Sequence, residues 1–263
     1  MTEDDLLVKL RQAIQEPHAS IHRLNLSRIA LCIPPQIHQP ILYALGLSRY
    51  AEIFYGMEEV WVAVIGDPAD WIDRATDDRI ADSESPPSSS DSTERITSLL
   101  RLLYVPELLR TRALQADLSF LGAMDPNITR WFQTQNPGAE IREYLNHEVR
   151  GKPHLLVAWI WIIYSAILYG GYEIQAKLLK AGAEFWDLSE KELKSSRTPC
   201  PLSFWHIDGA ATVKKKFRTL MVDANRLLTR SEQQEVIDES LRIFKKLERL
   251  TLSLDEEAKT ALL

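Results

Sequence analysis

The chain is poor in cysteine, poor in glycine and without a dominant sign of charge, and each shortage excludes a class of protein. Cys32 and Cys200 are the two cysteines in 263 residues, too few for a disulfide framework or a cysteine-rich zinc site. That usage fits a reducing compartment. Thirty-one basic against 37 acidic residues leave a net charge of −6, which argues against a broad nucleic-acid surface. No positively charged flank followed by an apolar block opens the sequence, which reads Met1-Thr2-Glu3-Asp4-Asp5, so no secretory signal is expected. The most apolar window, Leu155 to Tyr169, carries Ser165 and spans about 15 residues, short of the roughly 18 to 20 that cross a bilayer. It reads as a buried core helix. Leu252 to Leu263 is mixed and charged, so no tail anchor is expected there. The expectation is a soluble, cytoplasmic protein with no stable membrane insertion and no nucleic-acid partner.

With 10 glycines and apolar residues mostly at helical spacing, the expected fold class is all-α, a single multi-helical domain over residues 1–263. Thr2 is a candidate N-cap before an acidic first turn, and Leu6, Leu7, Leu10 and Ile14 form the buried stripe that follows. Pro17 removes one backbone donor and predicts a bend just before His18. Tyr50, Ile53, Phe54, Met57, Val60, Trp61 and Val64 repeat at three-and-four spacing and read as core. Residues 78–94 are rich in Ser, Pro and acid, too polar to offset the entropy of ordering them, and are expected to form a mobile surface loop. Helical pattern resumes at Ile96. Further helices are expected to about Leu121, over Asn127–Gln133, Ala139–Val149 and Pro153–Ala181, and finally over Thr212–Leu228 and Ser231–Leu252.

Three features could carry chemistry. His18 and His22 stand four apart, so on a helix they share a face, which suits a two-histidine metal site and equally suits two ordinary helix positions. No Glu-x-x-His motif occurs; the nearest approach is Glu143, four residues before His147. The apolar helix with Trp159, Trp161 and Tyr164 ends at Gly170-Gly171, yet helical pattern continues with Ile174, Lys177 and Leu178. Adjacent glycines cost a helix roughly 2 kcal/mol against alanine, so they either cap it, permit tight packing, or mark a kink at which backbone approaches a flat ligand. Lys214-Lys215-Lys216 with Arg218 form a local cationic cluster in which Lys214 and Arg218 face the same way. It serves as a solvated face or as a clamp for paired carboxylates.

In this order the pieces resemble the heme oxygenase family. Leu10-Arg11-Gln12-Ala13-Ile14-Gln15-Glu16-Pro17-His18-Ala19 is similar to the family's first helix, with His18 at the position that ligates heme iron. Ala113 to Leu121 resembles its Ala-Leu-x-x-Asp-Leu-x-Phe segment, and Tyr164 to Gly171 its kinked distal helix. Lys214, Phe217-Arg218-Thr219 and Glu235 to Glu239 resemble the C-terminal helices, where a Lys and an Arg four apart bind the heme propionates. In a second register Arg218 fills the lysine place and Val222 the arginine place. The resemblance implies heme as substrate and cofactor, with iron held through it. It further implies ring opening with molecular oxygen to biliverdin, carbon monoxide and iron, and electrons from an external reductase. By it, Arg11, His18, Lys214 and Arg218 bind heme, while Tyr164, Ile167, Gly170 and Gly171 form the distal wall and are the candidate catalytic residues.

Three positions depart from the pattern. Ile167 stands where the family has the aspartate that holds a distal water network, and Ala166 replaces the preceding glycine. Gln15 lacks the charge expected one turn after Arg11. An isoleucine neither accepts a hydrogen bond nor holds water, so Tyr164, Ser165 or Tyr169 would have to support the water chain. Otherwise the protein is a heme carrier or sensor without turnover, or an enzyme of the same fold with non-heme chemistry.

Overall fold

A computed structural model describes residues 6–71, 89–195 and 200–261, and all regular structure among them is helical. The long elements are α1 (Leu6–Leu31), α2 (Ile41–Ile65), α3 (Ser89–Leu102), α4 (Thr111–Met124) and α5 (Pro126–Phe132). They are followed by α6 (Ala139–Tyr144), α7 (Leu156–Ser165), α8 (Gly171–Leu179), α9 (Ala210–Ala224) and α10 (Arg230–Ala261). The Thr2 cap and most of the 78–94 segment lie outside the described residues.

The expected periodicities are the ones that get buried. Leu6, Leu7, Leu10 and Ile14 of α1 and Ile53, Phe54, Met57, Val60 and Trp61 of α2 are all in the core. α1 runs through Pro17 without interruption, since one missing N–H leaves the rest of the helical ladder intact. Helices α2 and α6 approach closely at Gly56, where a Cβ would come within 3.0 Å of the Arg142 backbone and of Leu145. Glycine is required there by space.

Two helix boundaries differ from the sequence reading: α3 starts early, and α10, expected to end at Leu252, runs on to Ala261. Helix α3 begins at Ser89, inside the stretch expected to be a loop. Serine and aspartate are tolerated in a first helical turn, and Arg95 is anchored to the Leu227 carbonyl and to both carboxylate oxygens of Glu232. The apolar run is also longer than expected. The helix expected from Pro153 runs over Pro153–Leu179, 27 residues, and its most apolar 18-residue window has mean hydropathy 1.7, so it is long and apolar enough to cross a membrane by length and composition. Within its most apolar window 67% is buried inside the fold, where a lipid-facing helix would expose its sides.

That stretch is the wall on which the site is built. Trp159 Nε1 and Tyr144 Oη both donate to the fully buried Glu239 of α10, at 2.9 Å each. Tyr164 Oη donates to Glu58 of α2 at 3.0 Å, and Glu58 also accepts from the backbone amides of Arg110 and Thr111. A buried carboxylate with three donors is satisfied, and here it fixes α7 against α2 and the start of α4.

Candidate functional site

Beyond Ser165 the helix does not break at its glycines. It widens into a π-turn over Ala166–Gly170 and returns to α-helix at Gly171, so the predicted kink takes the form of an inserted five-residue turn. Such turns occur often at functional sites, because the extra residue displaces one face of the helix. Facing it across an open cavity is α1, with α2 and α10 closing the sides.

The cavity measures about 890 Å³, within the roughly 300–1,000 Å³ typical of small-molecule sites, and its wall is mainly apolar. Helix α1 contributes Arg11, Ile14, Gln15, His18 and His22; α2 contributes Gly46, Tyr50 and Phe54; α10 contributes Phe244, Leu247 and Thr251. The opposite wall is Trp161, Ser165 and the π-turn residues Ala166, Ile167, Tyr169 and Gly170. A Cβ built on Gly46 or on Gly170 would meet no protein atom within 4 Å, so each leaves the cavity side of its helix bare. One end is closed by polar contacts. Tyr50 Oη lies 2.6 Å from Thr251 Oγ1 and 3.3 Å from Asn25 Oδ1, and Arg28 pairs with Asp255 at 2.6 Å.

The His18 ring stacks on His22, with centroids 6.0 Å apart and planes 5° apart, and meets Phe244 edge-on at 6.2 Å. Burial lowers the His18 pKa, and the neighbouring His22 lowers it further. At neutral pH its imidazole is therefore uncharged and keeps a lone pair for a metal. His22 is engaged otherwise, its Nε2 lying 4.0 Å from Glu173 of α8. Among the described residues no group of three or more His, Cys, Asp or Glu side chains could hold a metal ion. The donor set therefore offers one free imidazole on an apolar wall, which suits a metal that arrives inside a flat organic ligand.

Of the residues singled out in the sequence, the structure brings Arg11, His18, Ile167 and Gly170 into the lining of one cavity, the first two from α1 and the last two from the facing π-turn. Tyr164, Gly171, Lys214 and Arg218 do not line it. Tyr164 is fully buried behind the wall, where burial, and then the Glu58 charge, push its pKa well above 10. Gly171 faces the Trp205 ring, to which a Cβ would come within 3.4 Å. Lys214 reaches the rim indirectly, its Nζ 3.8 Å from the centroid of the cavity-lining Tyr169 ring. Arg11 is held likewise over Trp161 at 5.7 Å. Arg218 is exposed, one turn further along α9. Sequence reasoning missed Gly46, Tyr50 and Phe244: the helical spacing reads Tyr50 as core, and nothing singles out the other two.

The sequence matches the profile of the family described as heme oxygenase over residues 92–252. The chain belongs to the heme oxygenase family. Solved heme oxygenases share its fold. Heme oxygenase-1 of the cyanobacterium Synechocystis, solved in complex with heme, superposes with a TM-score of 0.67 at 17% identity, covering 98% of this chain and 96% of that one. Heme oxygenase-2 of Synechocystis, solved with heme and NO, gives a TM-score of 0.67 at 17% identity over 98% of this chain and 88% of that one. The Leptospira interrogans heme oxygenase gives 0.62 at 20% identity, over 94% and 98% of the two chains. No curated protein matches the chain by sequence. A heme oxygenase-like function follows from the family.

Proposed function

We propose that this single helical domain binds heme between α1 and the π-turn, with His18 as the iron ligand, and opens the ring to biliverdin, carbon monoxide and iron. The observation that carries the reading is His18. It is an imidazole whose pKa its surroundings lower, on the wall of a cavity large enough for a tetrapyrrole. Heme, when bound, supplies the redox chemistry, its iron accepting electrons from an external reductase and activating molecular oxygen against its own ring.

The protein's part is to hold and orient. His18 would hold the iron from α1, and Ala166 and Gly170 leave the facing π-turn without bulky side chains. Arg11 and Lys214, steadied over Trp161 and Tyr169, flank one rim and supply cations for the heme carboxylates. Arg218 joins them if its long side chain folds back toward that rim. Tyr164 positions the distal wall through Glu58, and Gly171 lets that wall pack on Trp205. Ile167 makes the distal face dry.

A second reading, heme binding without turnover, is favoured by Ile167, since the residue is apolar and buried where a carboxylate would order water. One experiment separates the two. The protein is mixed with heme, a reductase system and oxygen, and the absorption of biliverdin is followed. Growth of that absorption is the result expected for the enzyme; a heme spectrum that persists unchanged supports the binding protein. A cytoplasmic location, where reductants are supplied, suits either.

A further inference from the structure

Ser165 ends α7, lies immediately before the π-turn and lines the cavity. Its Oγ is shut off from solvent and makes no hydrogen bond. A helical serine ordinarily turns its hydroxyl back to a carbonyl of the preceding turn, or out to water. The buried serines among the described residues do so: Ser48 donates to the Leu45 carbonyl at 2.8 Å and Ser240 to the Ile237 carbonyl at 2.6 Å. Ser165 does neither, although an unmade buried hydrogen bond is costly. Its neighbours on the wall, Trp161, Ile162, Ala166 and Ile167, offer no acceptor side chain. The residue lines the cavity, and the one torsion of a serine has three staggered positions, so its hydroxyl is not confined to the one it holds here.

We propose that Ser165 is the distal hydrogen-bond donor of this site, giving its hydroxyl hydrogen to a small lone-pair-bearing ligand on the open face of the heme iron. The inference rests on the heme reading above and names the polar group that takes over where Ile167 cannot serve. It also accounts for the orphaned hydroxyl, which is the empty half of a bond completed by the ligand.

The test uses fluoride on the ferric heme-loaded protein, because bound fluoride accepts hydrogen bonds and donates none. Ser165→Ala should weaken fluoride roughly tenfold or more, the size expected for a hydrogen bond to an anion, and Ser165→Thr should restore most of it. Without heme, Ser165→Ala should melt no lower than the parent, because no bond is lost. The inference is overturned if fluoride affinity is unchanged in Ser165→Ala, if Tyr169→Phe alone carries the loss, or if heme-free Ser165→Ala melts lower. A parent protein that leaves the Soret band of ferric heme as it is for free heme overturns the heme reading itself. A normal Soret band with an unresponsive fluoride affinity overturns the Ser165 assignment alone.

Discussion

At the scale of single residues, the distal wall separates two jobs that sequence alone runs together. Tyr164 is held by Glu58, which takes three donors, so Tyr164→Phe removes one charge-assisted bond and should lower stability by about 1.5 to 3 kcal/mol in urea denaturation. Unchanged stability would contradict the positioning role. Ile167, in contrast, touches the cavity and no polar group. Installing a carboxylate there, Ile167→Asp, should raise the biliverdin yield per heme, because an acceptor then orders water beside the ring. A yield no higher than the parent's would show that the missing carboxylate is not what limits turnover.

Among elements, α10 shows which features were legible. Its N-terminus carries a capping box: Glu232 N donates to Thr229 Oγ1 at 3.3 Å, and the Glu232 carboxylate accepts from Thr229 N at 2.7 Å. Burial alone would raise the Glu232 carboxyl, but Arg95 and the Thr229 amide and hydroxyl hold it down to about 2. A folded pKa below the unfolded one adds stability that is fully present above the unfolded value. That stability is lost as pH falls from about 4.5 through about 2. Glu232→Gln should flatten the acid limb of the stability curve in that window; an unaltered limb would refute the assignment. The core stripes of α1 and α2 could be read directly, since burial imposes a helical period on neighbouring residues. The start of α3 could not, because Arg95 is anchored 132 and 137 residues away. The same holds for Tyr164 and Glu58, 106 residues apart. The π-turn left a trace only as a glycine pair inside a continuing pattern. His18 was marked by likeness to a family; spacing alone left it an ordinary helix position until α2 and α10 closed a cavity beside it.

For the whole molecule, the far end of α10 clasps the bundle. Arg49 is fully buried on α2 and pairs with Glu257 at 2.6 Å, while also reaching Thr134. Removing Glu257 leaves that guanidinium buried and unpaired, so Glu257→Ala should destabilise by about 3 to 5 kcal/mol, measured by denaturant unfolding. A loss under about 1 kcal/mol would place this pair with exposed surface bridges. The clasp ties α2 to α10 and the Arg28–Asp255 pair ties α1 to α10, beside the cavity that both His18 and Phe244 line. The central claim is that this cavity takes heme on His18. It is tested most directly by titrating ferric heme into the parent protein and into His18→Ala while recording the Soret region. A saturable, histidine-ligated Soret band in the parent that is lost or shifted in His18→Ala is the predicted result; identical spectra from the two proteins would contradict it.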